Sequence, residues 1–170
     1  HTSPLEQMTR RGDTVLWNDS ADPSELAQSI AWGAVGATCN PVIAVQCIKN
    51  DLPRWTTRMG EIAAKKPTAT ESEIGWQVVE EISLEAAQQL APIFTEHNGR
   101  NGRLSMQTDP RLARSPKALA DQAEYFASLA PNIIVKIPAT ATGVEAIEDA
   151  VARGVNINVT VSFSVPQALA

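Results

Sequence analysis

Cysteine is scarce, with Cys39 and Cys47 the only two among 170 residues. They have no second pair and no nearby histidine, so a disulfide scaffold and a zinc site both lack their residues, and two free thiols are expected. Long apolar runs are missing too. No stretch approaches the ~20 apolar residues of a membrane span, and the opening HTSPLEQMTRRGD has neither the apolar core nor the cleavage pattern of a signal peptide. A cytoplasmic protein with no membrane partner is the expectation. Positive charge is in deficit, because 14 Lys and Arg face 19 Asp and Glu for a net charge of −5. That leaves no basic surface to hold a polyanion, and nucleic acid is not an expected partner. Glycine is absent from WNDSADPSE, where a doubly wound nucleotide-binding sheet would carry its phosphate loop after the first strand.

What is present is a core. Apolar residues make up 44% of the chain and charged residues 19%, enough for one globular domain and short for two. The pattern alternates strand and helix. TVLWND (14–19) reads as a strand and SADPSELAQSIAWG as the next helix, with Asp22 as cap, Pro23 in its first turn, Glu25 completing a capping box and Gly33 at its end. VGATCNP (35–41) is a second strand, and a helix opening at Pro41 follows to about Lys49. Residues 51–98 carry helical pattern only and read as an all-helical insertion. RLSMQT (103–108) is a third strand, and Ser115 caps the helix after it. NIIVKIP is a fourth strand, followed by a helix with Thr142 and Glu145 as capping box and Gly154 at its end. NINVTVSF (156–163) is the last strand, and SVPQALA begins a further helix.

Five strand–helix units require a parallel sheet with right-handed crossovers. With no glycine-rich loop, the pattern favours a (β/α)8 TIM barrel of the α/β class over a doubly wound sheet. A complete barrel needs about 250 residues. The chain is therefore expected to hold about the first five units of one barrel domain, incomplete at its C-terminal end. An open five-stranded sheet is the alternative. A five-unit piece would have open sheet edges, which promote association into a homo-oligomer.

Lys136 interrupts an apolar run that otherwise reads as a strand buried on both faces, as in sheets covered by helices. It lies near the carboxyl end of that strand, the end that carries ligands in both candidate folds. A buried ammonium without a partner tends to lose its proton, and a neutral amine attacks carbonyls. A structural lysine paired with a carboxylate is the competing reading. The other strand ends carry polar residues as well: Asp19 closes strand 1, Asn40 strand 2 and Gln107 strand 3. In strand 5, Asn156, Asn158, Thr160 and Ser162 alternate with apolar residues and form one polar row, with Ser162 an expected substrate contact. Each residue alone has a role as helix cap or turn former, a strong competitor for Asp19 and Asn40.

WNDSAD, GATCNP, GRLSMQTDPRLA, IVKIPATATG and INVTVSFSVPQA, in this order, resemble the transaldolase family of class I aldolases. The resemblance runs from about Thr14 to Ala170 and includes the specific KIPAT signature. It implies a (β/α)8 barrel and a Schiff-base mechanism that needs neither metal nor organic cofactor. Lys136 would attack the keto carbon of a sugar phosphate such as sedoheptulose 7-phosphate, and Asp19 would move protons as the carbon–carbon bond breaks. Asn40 and Asn158 would hold the three-carbon unit, and Thr160 would orient a water. The implied pathway is the pentose phosphate pathway of carbohydrate metabolism. The family's phosphate-binding arginines would lie past Ala170. One position departs from the pattern: most transaldolases have a glutamate where this chain has Gln107. Fructose 6-phosphate aldolases are similar at this point, so cleavage is an alternative to transfer, and a catalytically silent sugar-phosphate-binding barrel is a third reading.

Overall fold

A computed structural model describes residues 3–170. Five parallel strands lie in the order β1-β2-β3-β4-β5: Leu16–Asn18, Ala34–Cys39, Arg103–Gln107, Ile133–Pro138 and Ile157–Thr160. Each pairs in parallel with the strand that follows it in sequence. A doubly wound sheet reverses its order at a switch point. This one runs monotonically, as barrel strands do, and makes up part of a (β/α)8 barrel.

The helices are α1 (Pro4–Arg11), α2 (Pro23–Ala31), α3 (Pro41–Asn50), α4 (Leu52–Lys65), α5 (Glu71–Glu96), α6 (Pro116–Leu129), α7 (Ala141–Ala152) and α8 (Val165–Leu169). Their starts are set locally. Asp22, Asn40, Asp51, Thr70, Ser115, Thr140 and Ser164 each accept a hydrogen bond from an amide in the first turn of α2 to α8, respectively, and so satisfy donors that have no partner within the helix. Two expected capping boxes are corrected. Before α2, the Asp22 amide donates to Ser20 Oγ at 3.1 Å, which leaves Glu25 no cap to close. Before α7 the cap is Thr140, whose Oγ accepts from Gly143 N at 3.0 Å; β4 ends at Pro138, so the helix begins two residues before Thr142 could cap it.

The stretch 51–98 is helical, as α4 and α5. Helix α5 lies against β2 and β3 and covers the barrel itself, while α4 packs on α3 and α5. Helices α2, α5, α6 and α7 cover the outer face, where Ala37, Cys39, Leu104, Met106, Val135 and Ile137 are fully buried. The expectation that β4 is buried on both faces is corrected. Its burial alternates, with Ile133, Val135 and Ile137 enclosed under the helices and Ile134, Lys136 and Pro138 half-buried on the inner face. Cys39 and Cys47 are both free and buried. Burial pushes the Cys39 thiol up, and Cys47 is pushed up to about 12. Neither is thereby prepared as a nucleophile.

Candidate active site

Register places the site. Gln107 of β3 is opposite Lys136 of β4, and Lys136 is opposite Asn158 of β5. Registered residues of parallel neighbours share a face, and adjacent strands lie about 4.8 Å apart, so an amide flanks the lysine on each side. All three are half-buried on the inner face at the carboxyl ends of their strands. Among the described residues, Lys136 Nζ has neither a hydrogen-bond nor an ion-pair partner, and the paired structural lysine is not what is found. The backbone beneath it is held firmly, because the Lys136 carbonyl accepts from Thr108 N at 3.2 Å and Thr108 Oγ1 at 3.4 Å.

One level lower, Thr38 of β2 is in register with Ser105 of β3, and Ser105 with Ile134 of β4. Asn158 Nδ2 donates to Ser105 Oγ at 2.9 Å, reaching across β4 beneath Lys136. Thr38 Oγ1 donates to Asp19 Oδ1, which ties the acid just past β1 to the same inner face. Asp19 is exposed there and takes no capping role, since Asp22 caps α2. Trp17 faces inward as well and lies over Gly36, where an added Cβ would come within 2.4 Å of the indole.

Neither Thr38 nor Ser105 stands out in the sequence by residue type. Period-2 alternation contained the signal, since Thr38 precedes Asn40 by two positions and Ser105 precedes Gln107 by two.

Of two further sequence-predicted residues, Asn40 takes the helix-cap role that competed for it, and Ser162 departs from expectation. Asn40 Oδ1 accepts from Ile43 N at 2.9 Å, so its oxygen is committed to the start of α3 and its Nδ2 alone remains to reach a ligand. Ser162 does not extend the polar row. Strand β5 ends at Thr160, the backbone turns at Val161 with φ 57°, and Ser162 lines a cavity with Val144, Ile147 and Val159 beside α7. Asn156 is exposed just ahead of β5. Thr160 is opposite Pro138, one step above the lysine row. Among the described residues, no three His, Cys, Asp or Glu side chains stand together as a metal site, and no helix is long and apolar enough to cross a membrane.

A barrel sheet whose strand ends gather a lysine, two amides, a carboxylate and hydroxyls on one face defines an α/β barrel protein with its candidate site at the carboxyl ends. A sequence model of the Transaldolase/Fructose-6-phosphate aldolase family matches residues 16–170, and the chain belongs to that family. Transaldolase 2 of Streptomyces avermitilis is 32% identical over 171 residues, covering 96% of this chain and 45% of that protein. The transaldolase of Thermobifida fusca is 31% identical over 176 residues, covering 95% and 45%. That of Thiobacillus denitrificans is 31% identical over 173 residues, covering 97% and 47%. The chain thus spans just under half the length of these curated relatives.

Proposed function

We propose that the protein transfers a dihydroxyacetone unit from a ketose phosphate such as sedoheptulose 7-phosphate to an aldose phosphate, through a Schiff base on Lys136. The observation that carries this reading is the unpaired Lys136 amine between Gln107 and Asn158, with Asp19 on the same face.

In this mechanism the Lys136 amine adds to the keto carbon, and loss of water leaves an iminium. The positive nitrogen then draws in the electron pair released when the adjacent carbon–carbon bond breaks. Asp19 takes the proton of the donor hydroxyl as that bond breaks, an aldehyde phosphate departs, and an enamine remains on Lys136. The enamine carbon attacks the acceptor aldehyde, Asp19 returns its proton to the new alkoxide, and water, oriented by Thr160, frees the lysine. Asn158 and the Asn40 Nδ2 donate to the hydroxyls of the three-carbon unit, and as neutral amides they do not compete for the proton. No step requires a metal or an organic cofactor.

Gln107 favours a second reading. An amide holds a water by hydrogen bonds without taking its proton, so cleavage to free dihydroxyacetone, as in a fructose 6-phosphate aldolase, is the alternative. The two readings separate when ketose phosphate is supplied with and without an aldehyde acceptor and free dihydroxyacetone is measured.

In the same reading the chain is the first five units of a single barrel domain. The whole protein acts in the cytoplasm within the pentose phosphate pathway, and the open edges at β1 and β5 are closed by further chain or by a second copy. The deciding experiment is borohydride reduction of the full-length protein with ketose phosphate, followed by peptide mass mapping. An adduct on Lys136 is expected. A folded protein that gives no adduct, or one on Lys117 instead, refutes the mechanism, and ligand binding with no adduct identifies a silent barrel.

A further inference from the structure

The connection that follows Gln107 forms one wall of a second cavity, whose lining includes none of the inner-face residues. Its volume is about 330 Å³, at the small end of the range for ligand sites. Ala44 and Ile48 of α3 and Val79 of α5 line its apolar depth, and Pro41, Pro110 and Trp76 present flat surfaces. Gly75 of α5 also lines it, and a Cβ added there would meet no atom within 4 Å. The space is therefore open where a side chain is missing. Its aromatic wall is backed by the core, since the Trp76 ring packs against Phe126 with centroids 6.0 Å apart.

Polar groups stand at one end only. Arg111 Nε lies 2.9 Å and 3.0 Å from the two Asp109 carboxylate oxygens, and Arg111 Nη1 lies 2.5 Å from Ser72 Oγ. The two charges cancel, so a charged ligand gains no net attraction there. A guanidinium has five N–H donors, more than Asp109 and Ser72 occupy, so one can still be offered to an uncharged acceptor.

We propose that this cavity binds a small, uncharged, planar aromatic molecule carrying one hydrogen-bond acceptor, its ring between Trp76 and the two prolines and its acceptor toward Arg111. The test uses 2-naphthol as probe and its anionic counterpart 2-naphthoate for comparison, read by titration calorimetry and by NMR cross-peaks to the Trp76 ring. The unaltered chain binds 2-naphthol saturably at one site with those cross-peaks, and binds 2-naphthoate more weakly. Gly75→Leu fills the gap and weakens 2-naphthol binding by about tenfold or more, as expected when an apolar pocket loses the room of several methylenes. Gly60→Leu, in α4 where an added Cβ likewise meets nothing, leaves binding unchanged. Absence of saturable binding or of Trp76 cross-peaks, equal affinity for 2-naphthoate, or equal behaviour of the two leucine variants overturns the proposal.

Discussion

Replacing Asn132 tests how β4 is held where it carries Lys136. Asn132 is 3% exposed and immediately precedes the strand. Its Nδ2 donates to the Ala87 carbonyl at 2.7 Å and to the Gly102 carbonyl at 2.9 Å, so one amide group pins β4 to helix α5 and to the turn that feeds β3. Asn132→Leu keeps the branching at Cγ with somewhat greater bulk and removes both donors. The Ala87 carbonyl lies inside α5 and keeps a helical partner, so its loss is that of a second bond, about 1 kcal/mol. Depriving the Gly102 carbonyl of its buried donor costs about 1–3 kcal/mol. The sum, about 2–4 kcal/mol, corresponds to a drop of roughly 1–2 M in the urea midpoint at a slope of about 2 kcal/mol per M. Asn132→Asp gives a sharper signature. Its carboxylate would face two carbonyl oxygens in a buried place, so its pKa is raised in the folded state. The protonated form can donate one bond, and the deficit against the unaltered chain is greatest at neutral pH and shrinks as pH falls. A midpoint change under about 0.5 M for Asn132→Leu, or a deficit for Asn132→Asp that ignores pH, refutes the reasoning.

Lys136→Ala abolishes both turnover and the borohydride adduct. Asp19→Asn keeps an acceptor for Thr38 and still forms the imine, but slows bond cleavage by about 10²–10⁴-fold; equal loss of imine in the two variants contradicts the roles assigned. Gly36→Ala drives a methyl into the Trp17 indole, which costs about 1–3 kcal/mol and changes the near-ultraviolet circular dichroism; an unchanged spectrum and stability would remove the packing argument. The Asn50 amide, which donates to Asp22 Oδ2 at 3.0 Å, and after it Ser24 hold the Asp22 carboxyl at about 2, against an ordinary 3.8. A lowered pKa contributes stability that is present above pH 3.8 and lost as pH falls toward about 2. Asn50→Ala therefore loses about 1 kcal/mol at pH 7, and its difference from the unaltered chain closes on acidification; a difference that stays constant to low pH sinks the assignment.

The strand–helix alternation was legible because its punctuation is local chemistry. Asp22-Pro23, Ser115-Pro116 and the apolar periods mark the elements within a residue or two of where they lie. The missing glycine loop separated barrel from doubly wound sheet, and the monotonic strand order agrees. The two-sided burial of β4 was misjudged for a physical reason. A residue run records hydrophobicity, whereas burial depends on what covers each face, and among the described residues no helix covers the inner face of β4. Strand β5 was overextended because NVTVSF alternates in sequence beyond the point where the chain turns at Val161.

Whether a polar residue at a strand end faces a ligand depends on what the next helix requires, and this explains which site residues could be read in advance. Every helix start here takes one side-chain acceptor. After β1 the cap Asp22 comes four residues beyond the strand's last residue, Asn18, so Asp19 is left free for the inner face. After β2 the cap follows at once, and Asn40, which alternation alone would place beside Gln107, gives its oxygen to α3 instead. Lys136 is spared this competition by position, because Thr140 supplies the cap beyond it. Among strand-end candidates, then, residues followed by a separate cap are the ones whose direction can be inferred from sequence. An Asn or Asp directly before a helix proline is the kind that needs coordinates.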